Sequence, residues 1–268
     1  MRRFSLVLVI LACAAVAATL AWFVLSRANF GDRVDASALT VVPPRTVEPF
    51  RHIDVSGSAT VELVQGDRET VAITGAARQP ASIEVQVRGD TLHIEAMDHE
   101  RWWQHFLGRR SRPPQIVVTF RELESIESAG TVRLTAGDVR VPGLRISSAG
   151  GASLKFDNLQ ARELRLAGAG AIRADMAGRV DQQTLSIAGA GEYRGANLLS
   201  THATVDVAGA GRVVVNAERT LKATISGAGS VEYIGNPQVT ESVSGVGRVR
   251  KRDAAGTEER TVRVAAAR

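Results

Sequence analysis

The chain has 268 residues, of which 44% are hydrophobic and 4% aromatic, and its formal net charge is +5. This length allows one large domain or two modest ones, and the hydrophobic content is sufficient for a buried core. Residues 1–28 hold three arginines and no acids, so the remaining chain carries 30 basic and 28 acidic residues. That near balance argues against a nucleic-acid-binding protein.

An uncharged, largely apolar run over residues 4–26 follows two arginines at the N-terminus. About 20 apolar residues span a bilayer, and basic residues before such a run keep the N-terminus cytoplasmic. The pattern predicts one export helix over residues 1–28, as an uncleaved signal anchor or as a signal peptide cleaved after Ala28. A lipoprotein site at Cys13 is a third interpretation. We favour the anchor, because the apolar run is longer than that of most signal peptides.

This helix predicts a location in a bacterial cell envelope. An uncleaved helix would anchor the chain in the inner membrane, with the following domain in the periplasm. A cleaved one would release that domain to the periplasm or the exterior. Residues 29–45 contain Pro43 and Pro44 and are predicted to form a linker.

Residues 46–97 alternate between apolar and polar side chains, which predicts several β-strands. Gly89-Asp90 separates two of them and predicts a hairpin turn. The segment Val55-Ser-Gly-Ser-Ala59 is interpreted as a degenerate copy of the repeat that follows. We expect this N-terminal part to cap the first turns of that repeat.

Residues 116–250 hold a repeat that ends, in its later copies, with Gly-x-Gly. Its period is about 20 residues, which predicts a solenoid. The last glycines of the seven copies are Gly130, Gly150, Gly170, Gly191, Gly211, Gly229 and Gly247. Ile, Leu or Val stands four positions before each of them, and apolar residues alternate around it. A rung of this length fits three short strands and three bends, so we expect an all-β chain with a parallel β-helix, followed by a charged tail over 251–268.

The sequence resembles the head GIN domain family of bacterial envelope proteins, whose members are described as auto-transporter adhesins. The resemblance covers roughly residues 46–250 and depends on four motifs: Phe50-Arg-His-Ile-Asp-Val-Ser-Gly57, Thr60-Val-Glu-Leu-Val-Gln-Gly66, Leu92-His-Ile-Glu95 and the Ser/Ala-Gly-Ala-Gly series. It implies a right-handed parallel β-helix and export from the cytoplasm. It carries over no catalytic or binding residue.

The sequence predicts no catalytic, cofactor-binding or metal-binding residues, and hence no enzyme. The five histidines lack the spacing of a zinc site, and no cysteine of the folded part can assist them. The Gly-x-Gly elements lie between β patterns rather than before a helix, so a phosphate loop is not indicated. Asp138, Asp157, Asp175 and Asp181 fall at different positions of the repeat. Three or more carboxylates in one groove would instead favour a carbohydrate-active enzyme.

Two features are candidate contact sites. The first is the loop over residues 98–115, whose candidates are Trp102, Trp103, Phe106, Arg109 and Arg110. Trp with Arg is frequent at interfaces, although the same rings would also serve to plug the solenoid end. The second is a column three positions after the last glycines, with its arginines at Arg133, Arg173, Arg194 and Arg250. Stacked rungs would align them about 4.8 Å per step, so that an anionic polymer could bind there; a solvated, edge-protecting face is the alternative.

These features favour a non-enzymatic envelope protein that binds a surface glycan or another envelope protein. The alternative is a module that only scaffolds the envelope, with the same residues serving as caps. The membrane is a partner through the N-terminal helix, and no nucleic acid is expected.

Overall fold

The computed structural model describes residues 39–41, 44–76, 82–97 and 115–252. All helical or extended segments within these ranges are β-strands. The predicted all-β class is confirmed for them. They belong to one compact unit, Leu39–Arg268. Within these ranges no helix is long and apolar enough to cross a membrane. The predicted export helix, the aromatic loop up to residue 114 and the tail from residue 253 lie outside the described residues.

The strands vary from two residues to one continuous run of 85. In chain order they are β1 Leu39–Val41, β2 Arg45–Thr46, β3 His52–Gln65, β4 Thr70–Ala76, β5 Ser82–Arg88, β6 Thr91–Met97, β7 Gln115–Phe120, β8 Ser125–Arg140, β9 Gly143–Gly227, β10 Ser230–Ile234, β11 Gln238–Gly245 and β12 Arg248–Lys251.

Parallel pairing between successive copies organises the repeat. Strand β8 pairs with β9 so that Ile126 lies level with Ile146, one period later. At the other end, β10 pairs with β9 so that Val231 lies level with Val213, one period earlier. A straight strand as long as β9 would extend roughly 280 Å, so β9 has to bend repeatedly within one compact unit. The right-handed coiling stays a prediction.

Glycines with positive φ mark the bend that recurs in every copy. They have φ between 108° and 129° and are termed the corner glycines: Gly130, Gly150, Gly170, Gly189, Gly209, Gly227 and Gly245. A Cβ on any of them would lie 2.4–2.7 Å from the carbonyl oxygen of the preceding glycine in the column. Only glycine combines this backbone conformation with so close a neighbour. The corner glycines therefore fix which residues of successive copies lie level.

The corner glycine is not the last glycine in every copy, which corrects the predicted alignment. It is the last one up to Gly170, but from the fourth copy onward it is the first, at Gly189 rather than Gly191. Fewer residues consequently separate the third corner glycine, Gly170, from the fourth, Gly189, than separate Gly170 from the last glycine of the fourth copy, Gly191. Later copies are shifted by two positions relative to the alignment expected from the sequence.

The inside of the corner explains this shift, because it has room for one bulky side chain. In the third copy that side chain is Ile172, and a Cβ on Gly168 would lie 1.8 Å from its Cδ1. In the fourth copy it is Ile187, and a Cβ on Gly191 would lie 2.4 Å from its Cγ2. The bulky residue thus moves from two positions after the corner glycine to two positions before it, and the second glycine moves in the opposite direction.

Apolar columns on either side of the corner form the core. In the first six copies the residue four positions before the corner is buried: Ile126, Ile146, Leu166, Leu185, Val205 and Ala223. In the same six copies the residue four positions after the corner is buried as well: Leu134, Leu154, Ala174, Tyr193, Val213 and Val231. A single copy cannot cover these faces alone, so burial depends on the neighbouring copies.

The N-terminal strands continue the same stack. Strand β3 pairs in parallel with β8, and Gly57 lies level with Gly130. The interpretation of residues 55–59 as a degenerate copy is therefore confirmed. Strands β5 and β6 form the predicted antiparallel hairpin, with Gly89 at a φ of 65° in its turn. Strands β6 and β7 both pair with β3, so this part adjoins the first copies, as expected of a cap.

Candidate binding face

Charged side chains line the part of each copy that follows the corner. Residues three and five positions after the corner alternate with the buried column, and all of them except Val214 and Glu232 are at least partly exposed. Together they are termed the charged face. Its basic members are Arg133, Lys155, Arg173, Arg194, Arg212, Arg248 and Arg250. The acidic members in the same copies are Asp175, Glu192 and Glu232. Cations outnumber acids, so the face as a whole attracts anions.

The predicted column of four arginines does not exist as such. Arg133 and Arg173 lie three positions after their corner glycines, whereas Arg194 and Arg250 lie five positions after theirs. The two-position shift at the fourth copy is the reason, since it brings Glu192 rather than Arg194 level with Arg173. The arginines therefore form two columns in which carboxylates are interleaved.

Ion pairs connect these columns at the middle of the face. Arg173 Nε donates to Glu192 Oε2 at 3.2 Å, and Arg194 Nη2 lies 2.8 Å from Glu192 Oε1. Arg194 Nη1 also lies 3.4 Å from Asp175 Oδ1 in the preceding copy. The hydrogen bond from Arg194, opposed by burial and assisted by the weaker effect of Arg173, sets the pKa of Glu192 below its ordinary value. Both arginine side chains remain more than half exposed and keep donors directed at solvent.

A groove of about 470 Å³ follows this face. Its apolar lining comes from side chains of the core columns and their neighbours: Phe156, Met176, Tyr193 and Val214. Its charged lining is Lys155, Asp157, Asp175, Glu192, Arg194, Arg212 and Arg252. The apolar side chains are almost fully buried, so a ligand in the groove would contact mainly the charged ones.

The groove contains three carboxylates, which is the arrangement that would favour a carbohydrate-active enzyme. Each of them faces a cation: Asp157 lies 2.8 Å from Lys155 Nζ, and Asp175 and Glu192 contact Arg194. A general acid needs a raised pKa, whereas the pKa of Glu192 is lowered. Glu192 therefore lacks the raised pKa of the general acid in glycoside hydrolysis.

Stacking also brings together a serine, a histidine and an aspartate that sequence reasoning did not connect. His52 Nδ1 lies 2.7 Å from Ser125 Oγ, and His52 Nε2 lies 3.4 Å from Asp90 Oδ2. Level pairing of β3 with β8 and β6 produces this line. The backbone N–H of Ser125 points at the carbonyl of Arg51, at 3.4 Å, and is not free to stabilise an oxyanion next to the serine. The contacts join two polar strand residues, His52 and Ser125, to Asp90 in the turn of the hairpin.

The remaining candidates differ in what the structure describes. Trp102, Trp103, Phe106, Arg109 and Arg110 lie outside the described residues. Among the residues that are described, no three His, Cys, Asp or Glu side chains are close enough to hold a metal ion. Sequence reasoning missed Glu192 and Arg212 as members of the face. Counting from the first glycine of the later Gly-x-Gly elements would have identified them.

Comparison with known proteins places the fold. A family model described as "Putative auto-transporter adhesin, head GIN domain" matches residues 49–237. The chain belongs to the head GIN domain family. This head GIN chain is similar in structure to a putative adhesin from Bacteroides fragilis, with a TM-score of 0.71 and 22% identity over 81% of this chain and 98% of the other. No curated protein matches it.

Two further crystal structures resemble this head GIN chain. A putative adhesin from Parabacteroides merdae has a TM-score of 0.58 and 16% identity, over 81% of this chain and 97% of that one. A protein from Parabacteroides distasonis, described as a putative lipid binding protein, has a TM-score of 0.52 and 20% identity, over 81% and 98%. At these identities the likeness concerns the fold.

Proposed function

We propose that this chain is a non-enzymatic, exported envelope module of adhesin type, and that its charged face binds a surface glycan. The proposed architecture is a right-handed β-solenoid behind the N-terminal helix, held in the periplasm by an anchor or released by cleavage. The adhesin description of the family and of its structural relatives supports an envelope location. An envelope protein as ligand is the second candidate, and a scaffold without ligand is the third.

One observation carries the glycan proposal. The charged face repeats with the copies of the stack, so cationic groups recur about every 4.8 Å, or at multiples of that step, beside the groove. A ligand that repeats its own anionic groups along an extended chain can engage several copies at once. Each contact is a solvent-exposed ion pair worth about 1 kcal/mol or less, so affinity has to come from their number.

Retention on immobilised envelope polysaccharides tests this proposal. The soluble fragment 29–268 should be retained by anionic but not by neutral polymers, and retention should fall as salt is raised. An Arg173→Gln/Arg194→Gln variant should elute at clearly lower salt, whereas the matched variant Arg145→Gln/Arg165→Gln, outside the face, should behave as the unmodified fragment. Equal elution of both variants would contradict the role of the face.

Two further arms separate the other candidates. A Trp102→Ala/Trp103→Ala variant tests the aromatic loop: loss of retention there with the arginine variants unaffected would transfer the site to that loop. Vesicles of phosphatidylglycerol and of phosphatidylcholine test the lipid binding named for one structural relative. Retention by no polymer would count against the glycan and leave a protein ligand or scaffolding.

A further inference from the structure

Arginines converge on one carboxylate near the last described turn of the stack. Glu232 in β10 lies level with Arg250 in β12, and its side chain is only 10% exposed. Arg250 Nε donates to Glu232 Oε1 at 3.2 Å, and Arg252 Nη1 lies 3.5 Å from Oε2. One buried carboxylate therefore holds two guanidinium groups in place.

The two guanidinium groups retain unused donors. Each has five N–H bonds, and Glu232 engages only a minority of them. The side chains of Arg250 and Arg252 are 60% and 55% exposed, so the unused donors are accessible. Arg212 lines the same groove, and within the part of the chain that the structure describes it makes no ion pair.

The groove around this cluster has a strong excess of positive charge. Its volume is about 470 Å³, and its lining is Arg212, Glu232, Arg250, Lys251 and Arg252. The hydrogen bond from Arg250 lowers the pKa of Glu232, so Glu232 stays ionised and organises the arginines at neutral pH. Guanidinium forks bind oxyanions in a bidentate manner. Three of them provide more donors than the two oxygens of a carboxylate can accept, whereas the oxygens of a phosphate can use them.

We propose that Arg212 and the two arginines that Glu232 positions, Arg250 and Arg252, form a binding site for a phosphate group. Arg212 and Arg252 also line the groove of the charged face, so the site opens into that groove. We infer that the phosphate is carried by a surface polymer lying along the face; in this respect the inference rests on the proposed function. The site itself is independent of it.

Titration of the full chain in non-ionic detergent with inorganic phosphate tests the site. Calorimetry should show saturable binding, and Arg250→Gln/Arg252→Gln should weaken it at least tenfold. The matched control Arg145→Gln/Arg165→Gln should leave it unchanged. Because the double variant removes the partners of a buried carboxylate, Arg212→Gln is the second probe: it should weaken binding several-fold without lowering the unfolding temperature. Absence of saturation, or equal loss in the control, would overturn the site.

The source of the phosphate is distinguished with two further ligands. Poly(glycerol phosphate) fragments should bind at least tenfold more tightly than glycerophosphoglycerol, which is phosphatidylglycerol without its acyl chains. Equal affinity would contradict a polymer and assign the site to single phosphates. Phosphate binding without any retention of polymers on the charged face would sustain the site and contradict the proposed function. The opposite result would be polymer retention without phosphate binding, unchanged by Arg212→Gln and by added phosphate. It would sustain the proposed function and contradict the phosphate site.

Discussion

At the scale of single residues, the corner glycines are the positions that tolerate least change. Gly150 has a φ of 108°, and a Cβ there would lie 2.6 Å from the carbonyl oxygen of Gly130. We expect Gly150→Ala to lower the free energy of unfolding by roughly 3 kcal/mol or more, from backbone strain and overpacking together. The neighbouring Gly151→Ala is the control, because its Cβ would meet atoms no closer than 3.8 Å. Equal loss in both variants, measured by urea unfolding, would contradict the stacked corner.

A buried polar pair interrupts the apolar core. Gln183 Nε2 donates to the hydroxyl of Tyr193, and among the described residues Gln183 Oε1 has no hydrogen-bond partner. Tyr193 is fully buried, and burial raises its pKa. We expect Tyr193→Phe to cost about 1–3 kcal/mol, because it leaves the amide of Gln183 unsatisfied. Replacing both as Gln183→Leu/Tyr193→Phe should recover most of that loss; a double variant less stable than the single one would refute the pairing.

At the scale of one copy, the corner has room for one bulky side chain, either two positions before or two positions after the corner glycine, but not for both. Gly191→Ile alone should be strongly destabilising, because a Cβ there already lies 2.4 Å from Ile187 Cγ2. The exchange Ile187→Gly/Gly191→Ile reproduces the third copy, where Gly168 and Ile172 stand in that order. We expect the exchange to restore at least about half of the stability lost, as measured by thermal and urea unfolding. Purely additive losses would contradict the two-sided corner.

The end of the charged face provides a pH-dependent element. The lowered pKa of Glu232 means that its ion pairs stabilise the fold above its ordinary pKa of 4.5 and that this stabilisation is lost as pH falls through the lowered value. Glu232→Gln should therefore cost about 1 kcal/mol at neutral pH, because it leaves Arg250 and Arg252 facing each other. The difference from the unmodified chain should shrink in acid. A difference independent of pH would contradict the assignment of charge to Glu232.

At the scale of the whole molecule, the sequence predicted the stack better than the surface. Alternating apolar residues and a recurring glycine are sufficient to predict strands, bends and buried columns, because both features follow from backbone geometry. The hairpin at Gly89 and the copy at Gly57 were accessible for the same reason. The change of side of the bulky residue, from Ile172 after its corner glycine to Ile187 before its own, could not be predicted. It depends on how much space one corner encloses. Because side chains alternate along a strand, an alignment error of two positions still assigns the buried residues to the core. It does, however, place Arg194 instead of Glu192 in the outer column.

Polymer length tests the central claim most directly, namely that successive copies of the charged face bind one extended anionic chain. The affinity of the 29–268 fragment should be measured for oligogalacturonates and for poly(glycerol phosphate) fragments of increasing defined length. From Arg133 to Arg250 the face spans six steps, or about 29 Å. For at least one of the two polymers, affinity should rise with length until this span is covered and then level off, and the plateau should fall in the Arg173→Gln/Arg194→Gln variant. Affinity that does not depend on length, or no binding by either polymer, would contradict the account.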